Sequence, residues 1–183
     1  MVFDLRKIKL IIGLGNPGPQ YENTYHNVGA LFAKYFKNFI YAQRFIDWKL
    51  LIPAVAAYVN ESGRFVVREM KKESVLPEQL LVVHDDSDLE IGTYKKPVFN
   101  RGSAGHHGVE SVMKEIAKEL PNENQGFWRL RIGIRPNTKR HETGEKHETA
   151  RIKASEFVLK KISAADKKIL ERVFEDAKTE LVK

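Results

Sequence analysis

The chain has 183 residues, 42% hydrophobic and 30% charged, a balance typical of a single globular domain, here residues 1–183. It contains no cysteine, which excludes disulfides, thiolate metal sites and cysteine nucleophiles. Its formal net charge of +7 favours a polyanionic partner, and nucleic acid is the commonest one. Because we find no signal-peptide pattern and no apolar run near the ~18 residues of a membrane span, we expect a cytoplasmic protein with no membrane partner.

Strand-like runs alternate with helical patterns along the chain. The runs cover residues 8–14, 54–59, 80–84 and 129–134. Apolar residues at three-to-four spacing predict helices over 31–40 and 109–120, and a third helix that begins at Ser163 with Asp166 as its capping-box partner. This alternation predicts an α/β fold with a twisted, mostly parallel or mixed central sheet flanked by helices. The segment 136–153 carries charges of both signs without apolar periodicity, and we expect a mobile surface loop there.

The sequence GLGNPG at 13–18 matches the G-x-G-x-x-G fingerprint of dinucleotide-binding sites and follows the first strand-like run. The residues around this motif do not fit a dinucleotide-binding site. Pro17 and Pro19 remove amides from the mouth of the helix that should hold the pyrophosphate. The region about 20 residues further on reads as a helix rather than as a strand ending in an acidic residue. This loop therefore needs another role.

Ligands of open α/β sheets collect at the carboxyl ends of the strands, where this chain is unusually polar. Ser103 lacks the preceding glycine of a nucleophile elbow, since Arg101 stands there. The run HDDSDLE lacks the glycine and final glutamate of a calcium loop, and the two HET triplets lack zinc-ligand spacing. A Mg²⁺ nuclease that uses Asp85 and Asp88 stays open. The remaining candidate is a metal-free pair formed by His26 and Asp85.

Several short motifs occur in register along the chain. They are GLGNPG, Y-x-x-T-x-H-N-x-G at 21–29, VNESG at 59–63, VHDDSDL at 83–89, GSAGHHG at 102–108, FWRLRIGIRP at 127–136 and SEFVL at 155–159. Together they resemble bacterial peptidyl-tRNA hydrolases over nearly the whole chain. The resemblance implies hydrolysis of the ester between a peptide and the 3′ ribose of tRNA by a monomeric enzyme, without metal or other cofactor.

The resemblance also implies roles for individual residues. His26 is the general base that activates water, and Asp85 orients it, as the chemistry of a histidine and carboxylate pair allows. The glycine-rich loop directs Asn16 toward the peptide end of the substrate. Tyr21, Asn60 and His107 match substrate-binding positions. Lys95 and Arg131 match positions used on tRNA. Further basic residues lie nearby in sequence, namely Lys96, Arg101, Arg129, Arg135, Lys139 and Arg140.

The chain departs from the family pattern in two places. His107 replaces the usual Asn of a G-H-N-G run, and it either joins the substrate cleft or caps the helix that begins near Val109. The stretch between His26 and Asn60 is about a dozen residues short, which leaves the number of strands open. The alternative function is an RNA-binding relative that keeps the fold and the basic face but has lost hydrolysis.

Overall fold

The computed structural model describes residues 2–42, 57–99, 102–136 and 153–183, without the side chain of residue 156. The strands are β1 (Leu10–Gly13), β2 (Leu80–Glu90), β3 (Tyr94–Phe99) and β4 (Trp128–Arg135). They form one sheet in the order β1-β2-β4-β3. β1, β2 and β4 run parallel, and β3 is antiparallel to β4. The predicted mixed α/β fold is confirmed.

Helices cover both faces of this sheet. They are α1 (Val28–Ala42), α2 (Ser62–Lys72), α3 (His107–Glu119), the short α4 (Ala154–Phe157) and α5 (Ala164–Leu181). Ile11 of β1 and alternate residues of β2 and β4 pack against α1 and α5. Leu10 and Ile12, which point to the other face, pack with β2 residues against α2 and α3. Successive strand residues thus enter two apolar layers, as the two-residue period of a strand requires.

Two glycines bring α1 against the carboxyl end of β1. A Cβ atom at Gly13 would lie 2.2 Å from the carbonyl oxygen of Gly29, and one at Gly29 would lie 2.4 Å from the carbonyl oxygen of Val83. Only glycine permits such approach of backbone to backbone. The first glycine of GLGNPG therefore serves packing between strand and helix.

The three predicted helices are confirmed within α1, α3 and α5. Ser163 caps α5, because its hydroxyl accepts from the backbone N–H of Asp166 at 3.0 Å. The helices α2 and α4 and the strand β3 were not predicted from the sequence. No helix among the described residues is long and apolar enough to cross a membrane.

Two strand predictions need correction. The third run does not end at residue 84, because β2 continues to Glu90 along β4, so Asp85 and Asp86 are strand residues. The run 54–59 ends in a 3₁₀ turn, Val59–Glu61, and not in a strand, while its residues 54–56 lie outside the described part. The described part of the chain also excludes most of the predicted loop at 136–153, including Lys139 and Arg140. It excludes Arg101 as well.

Candidate active site

His26 lies in a 3₁₀ turn, Tyr25–Asn27, that leads directly into α1. The backbone N–H of His26 donates to the Val158 carbonyl at 2.8 Å, which ties this turn to the segment before α5. The His26 side chain is largely buried and points to the carboxyl-terminal half of β2. Its Nδ1 lies 3.0 Å from Oδ1 of Asp85. The model therefore brings the two predicted catalytic residues into hydrogen-bond contact.

Asp85 receives a second imidazole, which the sequence analysis did not assign to the site. Nε2 of His106 lies 2.9 Å from the same Asp85 oxygen. His106 is the N-cap of α3, where its Nδ1 accepts from the backbone N–H groups of Gly108 and Val109 at 3.1 and 3.3 Å. A ring nitrogen that accepts two amide hydrogens carries none itself, so Nε2 of His106 holds the proton donated to Asp85.

The tautomer of His26 follows from the same contacts. Asp85 is buried and accepts hydrogen bonds, so Nδ1 of His26 is the protonated nitrogen. Nε2 of His26 then carries a lone pair and can accept a proton. This is the arrangement that a general base needs.

Burial and charge set the protonation of this pair. Burial raises the pKa of Asp85, but hydrogen bonds from His106 and His26 outweigh burial and hold that pKa well below its usual value. Burial lowers the pKa of His26, whereas the hydrogen bond to Asp85 and the carboxylate charge raise it, leaving it above 6.5. Asp85 is thus ionised and makes His26 a stronger base.

A third histidine, His84, packs against His106 and the backbone of Asp85. Its ring centroid lies 4.7 Å from that of His106, and its Nδ1 contacts the Asp85 carbonyl oxygen at 2.7 Å. Complete burial lowers the pKa of His84 well below the usual histidine value, and His106 adds to this shift. His84 therefore supports the site as a neutral side chain.

The cluster also has the composition of a metal site. His26, Asp85 and His106 place one potential ligand atom each within 4.8 Å of one another. In the observed hydrogen-bond pattern, however, both imidazole nitrogens that face Asp85 carry hydrogen and offer no lone pair to a cation. The geometry favours a hydrogen-bonded cluster over a metal site. It weakens the hypothesis of a Mg²⁺ nuclease, because Asp85 already accepts hydrogen bonds from His26 and His106.

A cavity of about 220 Å³ opens beside His26, Asp85 and His106. His107 lines this cavity and also a neighbouring one of about 500 Å³ between the beginnings of α2 and α3. Asn60 lines the second cavity. Two predicted substrate residues, Asn60 and His107, thus share one cavity, and His107 connects it to the catalytic pair.

Asn16 is held in one orientation by contacts at both its backbone and its side chain. Its Oδ1 accepts from the backbone N–H of Val59 at 2.9 Å, and its backbone pairs with the Asn27 side chain at 2.8 and 2.9 Å. With Oδ1 occupied, the Nδ2 group is the hydrogen-bond donor that the Asn16 side chain offers to a ligand. Asn16 lines a third cavity, next to α1, and not the one beside His26.

Tyr21 is half-buried and lies edge-on against Tyr58, with ring centroids 6.2 Å apart. Tyr58 immediately precedes Val59, which binds Asn16, and Asn60, which lines the second cavity. Tyr21 therefore belongs to the same neighbourhood as the two predicted substrate asparagines.

His107 is the first residue of α3 and is 80% exposed. Its Nδ1 lies 3.8 Å from Oε2 of Glu110. The idea that His107 caps α3 is wrong, because His106 occupies the cap and turns its ring toward the helix amides. His107 instead projects where a ligand in either neighbouring cavity can reach it.

Lys95 and Arg131 are cross-strand partners on β3 and β4. Lys95 is exposed, whereas Arg131 forms an ion pair with the buried Asp86, whose Oδ2 lies 2.5 Å from Nη2. Arg129 shares a strand face with Arg131, as predicted, but it is only 1% exposed and does not belong to a basic surface. The exposed charge of this edge is therefore smaller than the sequence suggested.

The principal residue that the sequence analysis missed is His106. The motif GHHG contains two adjacent histidines, and the family pattern drew attention to the second. The signal for His106 was weak, because the predicted helix began at Val109, whereas α3 begins at His107 and so makes His106 its N-cap.

Comparisons with known proteins identify the family and the fold. The model of the peptidyl-tRNA hydrolase family matches residues 10–183. A peptidyl-tRNA hydrolase of Tolumonas auensis is 37% identical, with 93% of this chain and 85% of the relative covered. The enzyme of that name from Aquifex aeolicus is 34% identical, with 93% and 86% covered. The crystal structure of peptidyl-tRNA hydrolase from Acinetobacter baumannii has a TM-score of 0.69 at 26% identity, over 98% of this chain and 89% of that one.

The family model covers nearly the whole chain, and the relatives exceed one third identity over most of their own length. The fold agrees with that match, because the structural neighbour from Acinetobacter baumannii is also a peptidyl-tRNA hydrolase. The chain belongs to the peptidyl-tRNA hydrolase family.

Proposed function

We propose that this protein hydrolyses the ester bond between a peptide, or an N-blocked aminoacyl group, and the 3′ ribose of tRNA. Family membership supports the reaction class. The observation that carries the proposal is the contact between Nδ1 of His26 and Asp85 at 3.0 Å, which leaves Nε2 of His26 as a base. The products are the free peptide and a reusable tRNA.

In the proposed reaction, Nε2 of His26 removes a proton from water while the water oxygen bonds to the ester carbonyl carbon. The ionised Asp85 stabilises the imidazolium that forms. The bond between the carbonyl carbon and the ribose oxygen then breaks, and the imidazolium returns the proton to that leaving oxygen. General base catalysis of this kind contributes about 10²–10⁴-fold.

We assign substrate contacts to Asn16, Tyr21, Asn60 and His107. The fixed orientation of Asn16 leaves its Nδ2 group to donate to a carbonyl oxygen of the substrate. Asn60 and His107 line a cavity that shares His107 with the one beside the catalytic pair, which suits a peptide extending away from the ester. Tyr21 supplies an aromatic surface beside these groups.

We assign tRNA docking to Lys95 and Arg131, through phosphates and without base readout. They are cross-strand neighbours on the edge strand β3 and the adjacent strand β4. We further propose that the protein acts in the cytoplasm as a monomer built of one domain. The support for a monomer is that one chain supplies His26, Asp85 and His106 to the same site.

The test is release of tRNA from N-acetyl-aminoacyl-tRNA by the purified protein, with and without EDTA. We expect ester hydrolysis at equal rates in both conditions. Binding of the substrate without hydrolysis would establish the RNA-binding alternative. Cleavage of the RNA chain that EDTA abolishes would establish a magnesium nuclease.

A further inference from the structure

Tyr21 sits at the centre of a surface loop that closes between Asn16 and Asn27. The loop turns back on itself through positive φ angles at Gly18 and Asn23. Within it, the N–H groups of Tyr21 and Thr24 donate to the carbonyls of Gly18 and Tyr21 at 3.1 and 3.2 Å. The remaining carbonyl groups of an exposed loop can bond to water, but donors from the protein restrict its shape more strongly.

Lys161, 140 positions further along the chain, supplies such donors. Its Nζ donates to the carbonyl oxygens of Gln20 and Glu22 at 2.9 and 2.6 Å, and approaches that of Pro19 at 3.4 Å. Gln20 and Glu22 are the two sequence neighbours of Tyr21. Within the described ranges, no backbone N–H donates to either of those two carbonyl oxygens. The ammonium group thus holds the backbone on both sides of Tyr21.

The chemistry explains why a lysine suits this position. An ammonium group has three N–H donors and no acceptor, so it can bind three carbonyl oxygens at once. Three carbonyl oxygens that converge on one point repel one another unless a positive charge lies between them. Hydrogen bonds from a charged donor are also stronger than neutral ones.

The segment around Lys161 is itself fixed next to the catalytic turn. The N–H of Tyr25 donates to the Lys160 carbonyl at 3.2 Å, and the N–H of Ile162 donates to the Asn23 carbonyl at 2.7 Å. The Tyr25 hydroxyl donates to Asp166 at 2.6 Å. These contacts do not involve the Lys161 side chain, so they hold the His26 turn independently of it. The side chain acts on the loop that carries Tyr21.

We propose that Lys161 is a positioning residue for substrate binding, acting by fixing the backbone around Tyr21 and hence the Tyr21 ring against Tyr58. The inference rests on the proposed function, in which Tyr21 contacts the substrate. It predicts that loss of the ammonium group weakens substrate binding and leaves the chemical step unchanged, because the His26–Asp85 contact does not depend on it.

The matched pair Lys161→Met and Lys160→Met tests the proposal, since both variants lose one positive charge from adjacent exposed positions. We expect Lys161→Met to raise KM for N-acetyl-aminoacyl-tRNA by about 5- to 10-fold, the effect of losing one contact worth about 1 kcal/mol. Its kcat should stay within about twofold of wild type. Lys160→Met should leave both constants near wild type, and Lys161→Arg should recover most of the loss in KM.

Two further measurements separate positioning from general destabilisation. In a Tyr21→Ala background, Lys161→Met should raise KM no further, because the two residues act through one contact. Hydrogen–deuterium exchange of residues 18–24 should accelerate in Lys161→Met and not in Lys160→Met. Equal kinetics and equal exchange in the two lysine variants would overturn the proposal. A wild-type protein that hydrolyses no N-blocked substrate would instead overturn the proposed function.

Discussion

The carboxyl-terminal half of β2 and the pair formed by the edge strand β3 and its neighbour β4 both carry charged residues, but their environments are opposite. At the first, Asp85 is buried and receives two imidazoles on one oxygen. At the second, Lys95 is exposed while Arg131 is neutralised by Asp86. Changes at the buried cluster should therefore act on the chemical step, and changes at the edge should act on tRNA affinity.

The largest expected effect within this comparison belongs to Asp85→Asn. The substitution removes the charge that raises the His26 pKa and leaves burial to lower it. We expect kcat to fall by about 10²–10⁴-fold, as in other histidine and carboxylate pairs. The acidic limb of the pH profile of kcat/KM, which in wild type should lie above pH 6.5, should move to lower pH. A profile that keeps its wild-type position would contradict the pairing.

His106→Asn should have a smaller effect at the same cluster. Asparagine preserves a good N-cap for α3 but is too short to reach Asp85 as the imidazole does. Loss of one hydrogen bond to a charged group is worth about 1.5–3 kcal/mol, and only part of it acts on His26. We expect kcat to fall about tenfold and the melting temperature to fall by a few degrees, because the rest of the lost hydrogen bond acts on stability. Wild-type kcat would show that His106 serves only the helix.

At the opposite edge, Lys95→Gln and Arg131→Gln should each weaken tRNA binding several-fold, regardless of sequence. Each should lower the slope of log K against log salt by about 1, since one phosphate contact is lost. The two variants should differ in stability, because only Arg131→Gln leaves the buried Asp86 without its cation. Binding titrations at several salt concentrations and thermal melts measure both quantities. Unaltered affinity and slope in a folded Lys95→Gln variant would remove this edge from tRNA docking.

The smallest expected effect belongs to His107, which lines the cavity beside the catalytic pair. Its exposed imidazole can donate a hydrogen bond into the cavities that it lines. Asparagine also offers a donor there, so His107→Asn should keep KM and turnover within about twofold of wild type, whereas His107→Ala should raise KM about fivefold, the effect of losing one hydrogen bond worth about 1 kcal/mol. A folded His107→Ala variant with wild-type KM would exclude His107 from the substrate site.

The sequence predicted those features that local patterns encode. The apolar faces of α1, α3 and α5 repeat at helical spacing, and Ser163 stands at a cap position. The contact between His26 and Asp85 was predicted from polar residues expected at the carboxyl ends of the strands and from the family resemblance, although Asp85 lies within β2 and not after it. The helix α2 was missed although Phe65, Val66 and Met70 carry a helical pattern.

Other features depend on contacts between distant parts of the chain. The polar run that follows His84 forms a strand because β4 pairs with it, which its own composition does not reveal. Pro97 argues against a strand in β3, yet an edge strand tolerates it, and the β3–β4 register is irregular between Lys95 and Val98. The burial of Arg129 and the pairing of Arg131 are likewise tertiary effects.

The most direct test of the central claim, that His26 is the general base, is the turnover of His26→Ala on N-acetyl-aminoacyl-tRNA, measured together with its affinity for tRNA. Because the imidazole acts mainly in the transition state, we predict that kcat falls by about 10²-fold or more while affinity stays within about twofold. A folded His26→Ala variant that keeps more than half of the wild-type turnover would contradict the claim.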